Sequence, residues 1–95
     1  MEGLVILEKL KELLPVLERD FLVQRIGLFG SHAENRQSEH SDIDILVEFR
    51  KPIGWKVFSL EIFLEGVFKR KIDLVTPAAL KSQIRDSVLR QVKYA

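Results

Sequence analysis

Asp42 and Asp44 stand one residue apart at the head of a run in which Ile43, Ile45, Val47 and Phe49 alternate with Asp44, Leu46 and Glu48. Side chains on a strand alternate faces with period two, so the apolar set can turn to a core while both aspartates share the other face. Neighbouring carboxylates repel: at roughly 4 Å and an effective dielectric of about 20, a like-charge pair costs about 4 kcal/mol. A hard, oxygen-seeking cation such as Mg²⁺ relieves that repulsion. Upstream, and separated from Asp42 by ten residues, Gly30-Ser31 follows the apolar run Ile26-Gly27-Leu28-Phe29. A Gly-Ser turn leading into a helix start offers free backbone N–H groups, the usual cradle for a phosphate. A phosphate cradle beside metal-holding carboxylates points to phosphoryl or nucleotidyl transfer.

A third carboxylate joins them if two strands are neighbours. In Lys71 to Val75, Ile72 and Leu74 share one face and Asp73 points the other way, so Asp73 can reach Asp42 and Asp44 on the solvent side of a sheet. Ser31-x-x-Glu34 has the form of a capping box, with Ser31 capping a short helix and Glu34 folding back on the Ser31 N–H. His32 and His40 are isolated, and lone histidines beside a Mg²⁺-type carboxylate site are not expected to bind metal. Trp55, Phe58 and Phe63 are expected in the core, Glu48 as a solvated neighbour of the aspartates, and Lys69-Arg70-Lys71 as a solvated turn.

The elements that position these residues follow from periodicity. Leu7, Leu10, Leu13, Leu14, Leu17 and Phe21 recur at three- and four-residue steps, which predicts an amphipathic helix over Leu4 to Phe21, kinked or divided at Pro15. Leu22 to Phe29 is expected as a first strand, Asn35 to Ser41 as a polar loop and Asp42 to Phe49 as a second strand. Arg50-Lys51-Pro52-Ile53-Gly54 then supplies turn chemistry. A second helix starts at Trp55 and stops near Gly66. Lys71 to Val75 forms a third strand, Pro77 opens a first turn, and Leu80, Ile84, Val88, Leu89 and Val92 give a helical tail. The expected fold is α/β (α+β): a small mixed sheet of about three strands with helices packed on one face.

Ninety-five residues, 46% of them apolar, predict one domain over 1–95. A formal net charge of +1 exerts no bulk pull toward nucleic acid or a membrane surface, so direct binding of either is not expected. Absence of cysteine excludes a disulfide framework and thiolate metal sites. The start, Met1-Glu2-Gly3-Leu4-Val5-Ile6-Leu7-Glu8, lacks a basic n-region and meets charge after four apolar residues. It predicts neither a signal peptide nor a membrane span, which makes the cytoplasm the expected location.

The spacing of Gly30-Ser31, Asp42-x-Asp44 and Asp73, with strand patterns around them, resembles the signature of the DNA polymerase beta-like nucleotidyltransferase superfamily. More narrowly, the chain is similar to the minimal nucleotidyltransferase (MNT) proteins that act as antitoxins beside HEPN-domain toxins. The resemblance implies the polymerase beta-like fold and two Mg²⁺ ions held by Asp42, Asp44 and Asp73, with ATP as substrate. It also implies that Asp42 and Asp44 bridge the metals, that Asp73 serves the acceptor-side metal, and that Gly30 and Ser31 contact the phosphates. The family commonly carries Arg-Gly where this chain has Glu34-Asn35, so Arg36 is the candidate for the missing phosphate-facing charge. With no room for an acceptor-selecting domain, the implied acceptor is a tyrosine hydroxyl of a HEPN RNase toxin, silenced by AMP. A second reading from a different class is a binding module of the same fold that neutralises the toxin by occlusion.

Overall fold

A computed structural model of the chain describes residues 2–38 and 41–95; His40 and its neighbour Glu39 lie outside the described residues. The amphipathic pattern forms α1 (Gly3–Phe21), which buries Ile6, Leu10 and Leu17 on one stripe. Pro15 does not divide it. The residue sits on the exposed face, where the Lys11 carbonyl it leaves without a helical donor can turn to water. Leu22 ends the helix in the left-handed conformation, its N–H donating to the Leu17 carbonyl, and β1 (Val23–Phe29) starts at once.

No helix begins at Ser31. Gly30 to Asn35 instead makes successive turns, in which the Glu34 N–H donates to the Gly30 carbonyl at 3.2 Å and the Arg36 N–H to the Ser31 carbonyl at 2.8 Å. Gly30 and Asn35 bracket the segment at φ +72° and +58°, and Asn is among the few non-glycine residues at ease there. β2 (Ile43–Phe49) and α2 (Lys56–Phe68) follow. α2 runs past the expected stop at Gly66, because Leu60, Leu64 and Phe68 continue one buried stripe at four-residue steps. That burial outweighs the roughly 1 kcal/mol helix penalty of a glycine. After β3 (Ile72–Val75), a 3₁₀ turn (Pro77–Ala79) leads into α3 (Ser82–Gln91), and β4 (Lys93–Tyr94) follows.

The sheet is mixed, with strand order β3-β2-β1-β4. β1 pairs antiparallel with both β2 and β4, while β2 and β3 run parallel, with Asp44 beside Asp73. The short fourth strand extends the three expected. α1 and α2 cover one face, burying Ile26, Leu28, Ile43, Ile45, Val47 and Ile72 against Ile6, Leu10, Leu17, Leu60, Leu64 and Phe68. The helices do not all share that face. Leu46, fully buried, meets Leu80 and Val88 together with Phe29, Val75, Val92 and Tyr94, so the helical tail lies on the opposite side. That side therefore carries a small second core and is not wholly solvent. Among the described residues no helix is long and apolar enough to cross a membrane.

Candidate active site

The site forms at the N-terminal end of β2, on the α3 side of the sheet. Strand alternation sends Ile43 and Ile45 into the main core and Asp44 the other way. The parallel register then sets Asp44 directly beside Asp73, and the antiparallel register sets it beside Phe29, the last residue before Gly30. A Cβ placed on Gly30 would stand 2.2 Å from Asp44 Oδ2. Only a glycine leaves that oxygen its position, and glycine holds φ +72° at no steric cost.

Crowding has an electrostatic consequence. Burial, the Asp73 charge, a hydrogen bond shared with Asp73 and the Asp42 charge together push the Asp44 carboxyl up to about 6 from an ordinary 3.8. Asp42 and Asp73 are both exposed, whereas Asp44 is half-buried. Among the described residues no three carboxylate or imidazole side chains close around a point as a ready-made cage. Such an open set of hard oxygen donors suits Mg²⁺, which is usually held by one or two carboxylates and completed by substrate phosphates and water. Protonation of Asp44 in the free chain and cation binding answer the same crowding.

The surroundings of this cluster differ from the sequence expectations at Glu34 and at Arg70. Glu34 does not fold back on Ser31: its carboxylate accepts from the Arg36 guanidinium, with the Nε bond at 2.9 Å and a second, shorter bond from the same group. Without a helix start the capping box has no function, and the two opposite charges two residues apart pair instead. His32 turns inward and is 2% exposed. Burial, with the Arg70 charge added, holds its imidazole below the usual histidine range, so it is a packed neutral ring. Arg70 is no solvated turn residue; it is half-buried and donates to the Ser38 and Ser41 carbonyls at 3.4 and 3.3 Å. It thereby ties the chain just before Asp42 to the head of β3. Only its place in a basic run marked it in the sequence.

Two further expectations change. Glu48 pairs with Arg25 across β1 and β2, an interaction offered by the antiparallel register of the two residues. Trp55 and Phe58 are 84% and 56% exposed and stack on each other with centroids 5.6 Å apart; of the three aromatics expected in the core, only Phe63 packs against it.

Residues 8–95 match the family described as Nucleotidyltransferase domain. The protein adenylyltransferase MntA of Thermococcus cleftensis is 38% identical over 97 residues, an alignment spanning 97% of this chain and 98% of that protein. Among solved structures, a toxin–antitoxin complex with AMP-PNP superposes with a TM-score of 0.69 at 28% identity, over 85% of this chain and 68% of the other. An MNT antitoxin in complex with the tri-AMPylated Shewanella oneidensis HEPN toxin gives a TM-score of 0.65 at 25% identity, over 97% of this chain and 70% of the matched one.

Proposed function

The chain belongs to the nucleotidyltransferase domain family, and on that premise we propose that it is an antitoxin that transfers AMP from ATP to a tyrosine hydroxyl of a HEPN-domain toxin. The observation that carries this reading is the Asp44–Asp73 pair beneath Gly30, a crowded carboxylate cluster packed directly against the Gly30-Ser31 turn. Its support from relatives is the adenylyltransferase that aligns over nearly its whole length and the AMPylated toxin bound to a structural neighbour.

Asp42, Asp44 and Asp73 would hold divalent cations, which when bound supply the positive charge that draws in a triphosphate and activates an acceptor hydroxyl. Backbone N–H groups at Gly30 and Ser31, with the Ser31 hydroxyl, would hold phosphate oxygens. Arg36 can swing from Glu34 to the phosphates at little cost, since an ion pair this exposed is worth under about 1 kcal/mol. The acceptor oxygen attacks the α-phosphorus, the bond to the bridging oxygen breaks and pyrophosphate leaves. Asp73, the exposed member of the pair, takes the hydroxyl proton, a role worth roughly 10²–10⁴ in rate.

The test is mass spectrometry of the HEPN partner after incubation with this chain, ATP and Mg²⁺. An AMP adduct on tyrosine, absent with Asp44→Asn and Asp73→Asn, is the expected result. An unmodified but inhibited toxin would replace catalysis with neutralisation by occlusion.

A further inference from the structure

α2 buries one stripe and leaves another facing outward with no cover. Trp55, Phe58 and Ile62 are 84%, 56% and 69% exposed, an apolar line along a helix whose opposite side sits in the core. Isolated exposed apolar residues are ordinary, whereas a contiguous patch of a few hundred Å² is often functional. Taking about 200 Å² for a large side chain, these three expose roughly 400 Å².

The order of residues along the stripe says what fits it. Trp55, Ser59, Ile62 and Gly66 follow at steps of four, three and four, the spacing of a two-helix seam. Their sizes alternate: large, small, large, small. Gly66 is exposed and nothing lies within 4 Å of where its Cβ would be, so it is an open notch. Two copies of this helix laid antiparallel about a point between Leu60 and Glu61 put each Trp55 over the other's Gly66, and each Ile62 over the other's Ser59. Parallel apposition would set tryptophan on tryptophan and glycine on glycine. The stripe is thus self-complementary in one direction only, as a two-fold interface requires.

We infer that α2 is the isologous interface of a homodimer of this chain. Two copies bring together roughly 800 Å² from Trp55, Phe58 and Ile62 alone, and the flanking Ser59, Gly66 and Lys69 add to this toward the ~1,000 Å² at which biological interfaces begin. α2 lies on the face of the sheet opposite Asp44, so pairing through it leaves both carboxylate clusters facing outward.

Trp55 is the single tryptophan of the chain and reports directly on the seam. Sedimentation velocity and Trp55 emission, followed on the full chain over a dilution series, are expected to show a dimer whose emission shifts red on dissociation. Ile62→Glu and Gly66→Phe are each expected to weaken the dimer by roughly thirtyfold or more, as loss of an interface hot spot does. Gly66→Phe is the discriminating variant: it adds apolar surface and helix propensity, so it would tighten any contact that merely gathers hydrophobic area. It also carries the test if Ile62→Glu proves unfolded by circular dichroism. Three results would overturn the proposal: a monomer at every concentration, a dimer tightened or unmoved by Gly66→Phe, or a Trp55 shift seen only on adding the HEPN protein.

Discussion

Asp44 is held where its charge is least welcome, half-buried on a strand with a second carboxylate at the same level of the next one. Its folded pKa of about 6 lies above the ordinary 3.8, so between those values the folded chain binds more protons than the unfolded one. Stability of the metal-free protein therefore falls as pH rises from about 4 to about 6 and changes no further above that window on this account. Solvent screening at a half-exposed group limits the loss to about 1 kcal/mol, near 5 °C in Tm for a chain of this size. Asp44→Asn removes the penalty, and melting curves in a chelator should show the variant's Tm flat across that interval while the parent's declines. A parent Tm that rises through the same window would mean Asp44 ionises without hindrance.

At the level of elements, β4 is the piece that periodicity could not foretell. Lys93 and Tyr94 follow a helical pattern with no turn signal between, and two residues are too few for alternation to register. What admits the strand is Gly27 on its neighbour. A Cβ there would stand 2.7 Å from Val92 Cγ2 and 2.9 Å from the Lys93 carbonyl oxygen, and the latter is backbone that cannot step aside. With β4 in place, the Ala95 N–H donates to the Ile26 carbonyl at 2.8 Å and the Arg25 guanidinium lies 4.2 Å from the Tyr94 ring centroid. Gly27→Val should expel the strand, cost roughly 1–3 kcal/mol and lower Tm by about 5–15 °C. Hydrogen exchange at the Ala95 amide should accelerate in step. An unchanged amide would show that the edge is held without β4.

The whole molecule is flat, with extents of 31 × 30 × 19 Å, because α1 and α2 cover one side of the sheet while, among the described residues, α3 with its short lead-in covers part of the other. The end of the sheet left open on the α3 side is where the carboxylates stand. Ligands that bind only the folded chain stabilise it by mass action, about 2.7 kcal/mol at a hundred times Kd. Saturating Mg²⁺ with ATP should therefore raise Tm by roughly 10 °C, and Mg²⁺ alone by less. Asp44→Asn with Asp73→Asn should cancel the cation-dependent part. A shift that persists in the double variant would move the cation elsewhere.

Strand alternation, helical periodicity and turn residues are local properties, and they were legible in the order of residues alone. Ile43, Ile45 and Val47 declared which way Asp44 must point, and Gly30-Ser31 declared a break after an apolar strand, because each follows from neighbours a few positions away. Pairing is not local. That Asp73 stands beside Asp44 depends on β2 and β3 lying parallel in one register, that Oδ2 needs Gly30 depends on how β1 ends, and that Glu34 takes Arg36 depends on a helix that never starts. The same limit explains Trp55 and Phe58. Their spacing fits a helix, but which side of that helix meets the sheet is decided by Leu60, Leu64 and Phe68 competing for one stripe, and those three buried residues leave the aromatics outside.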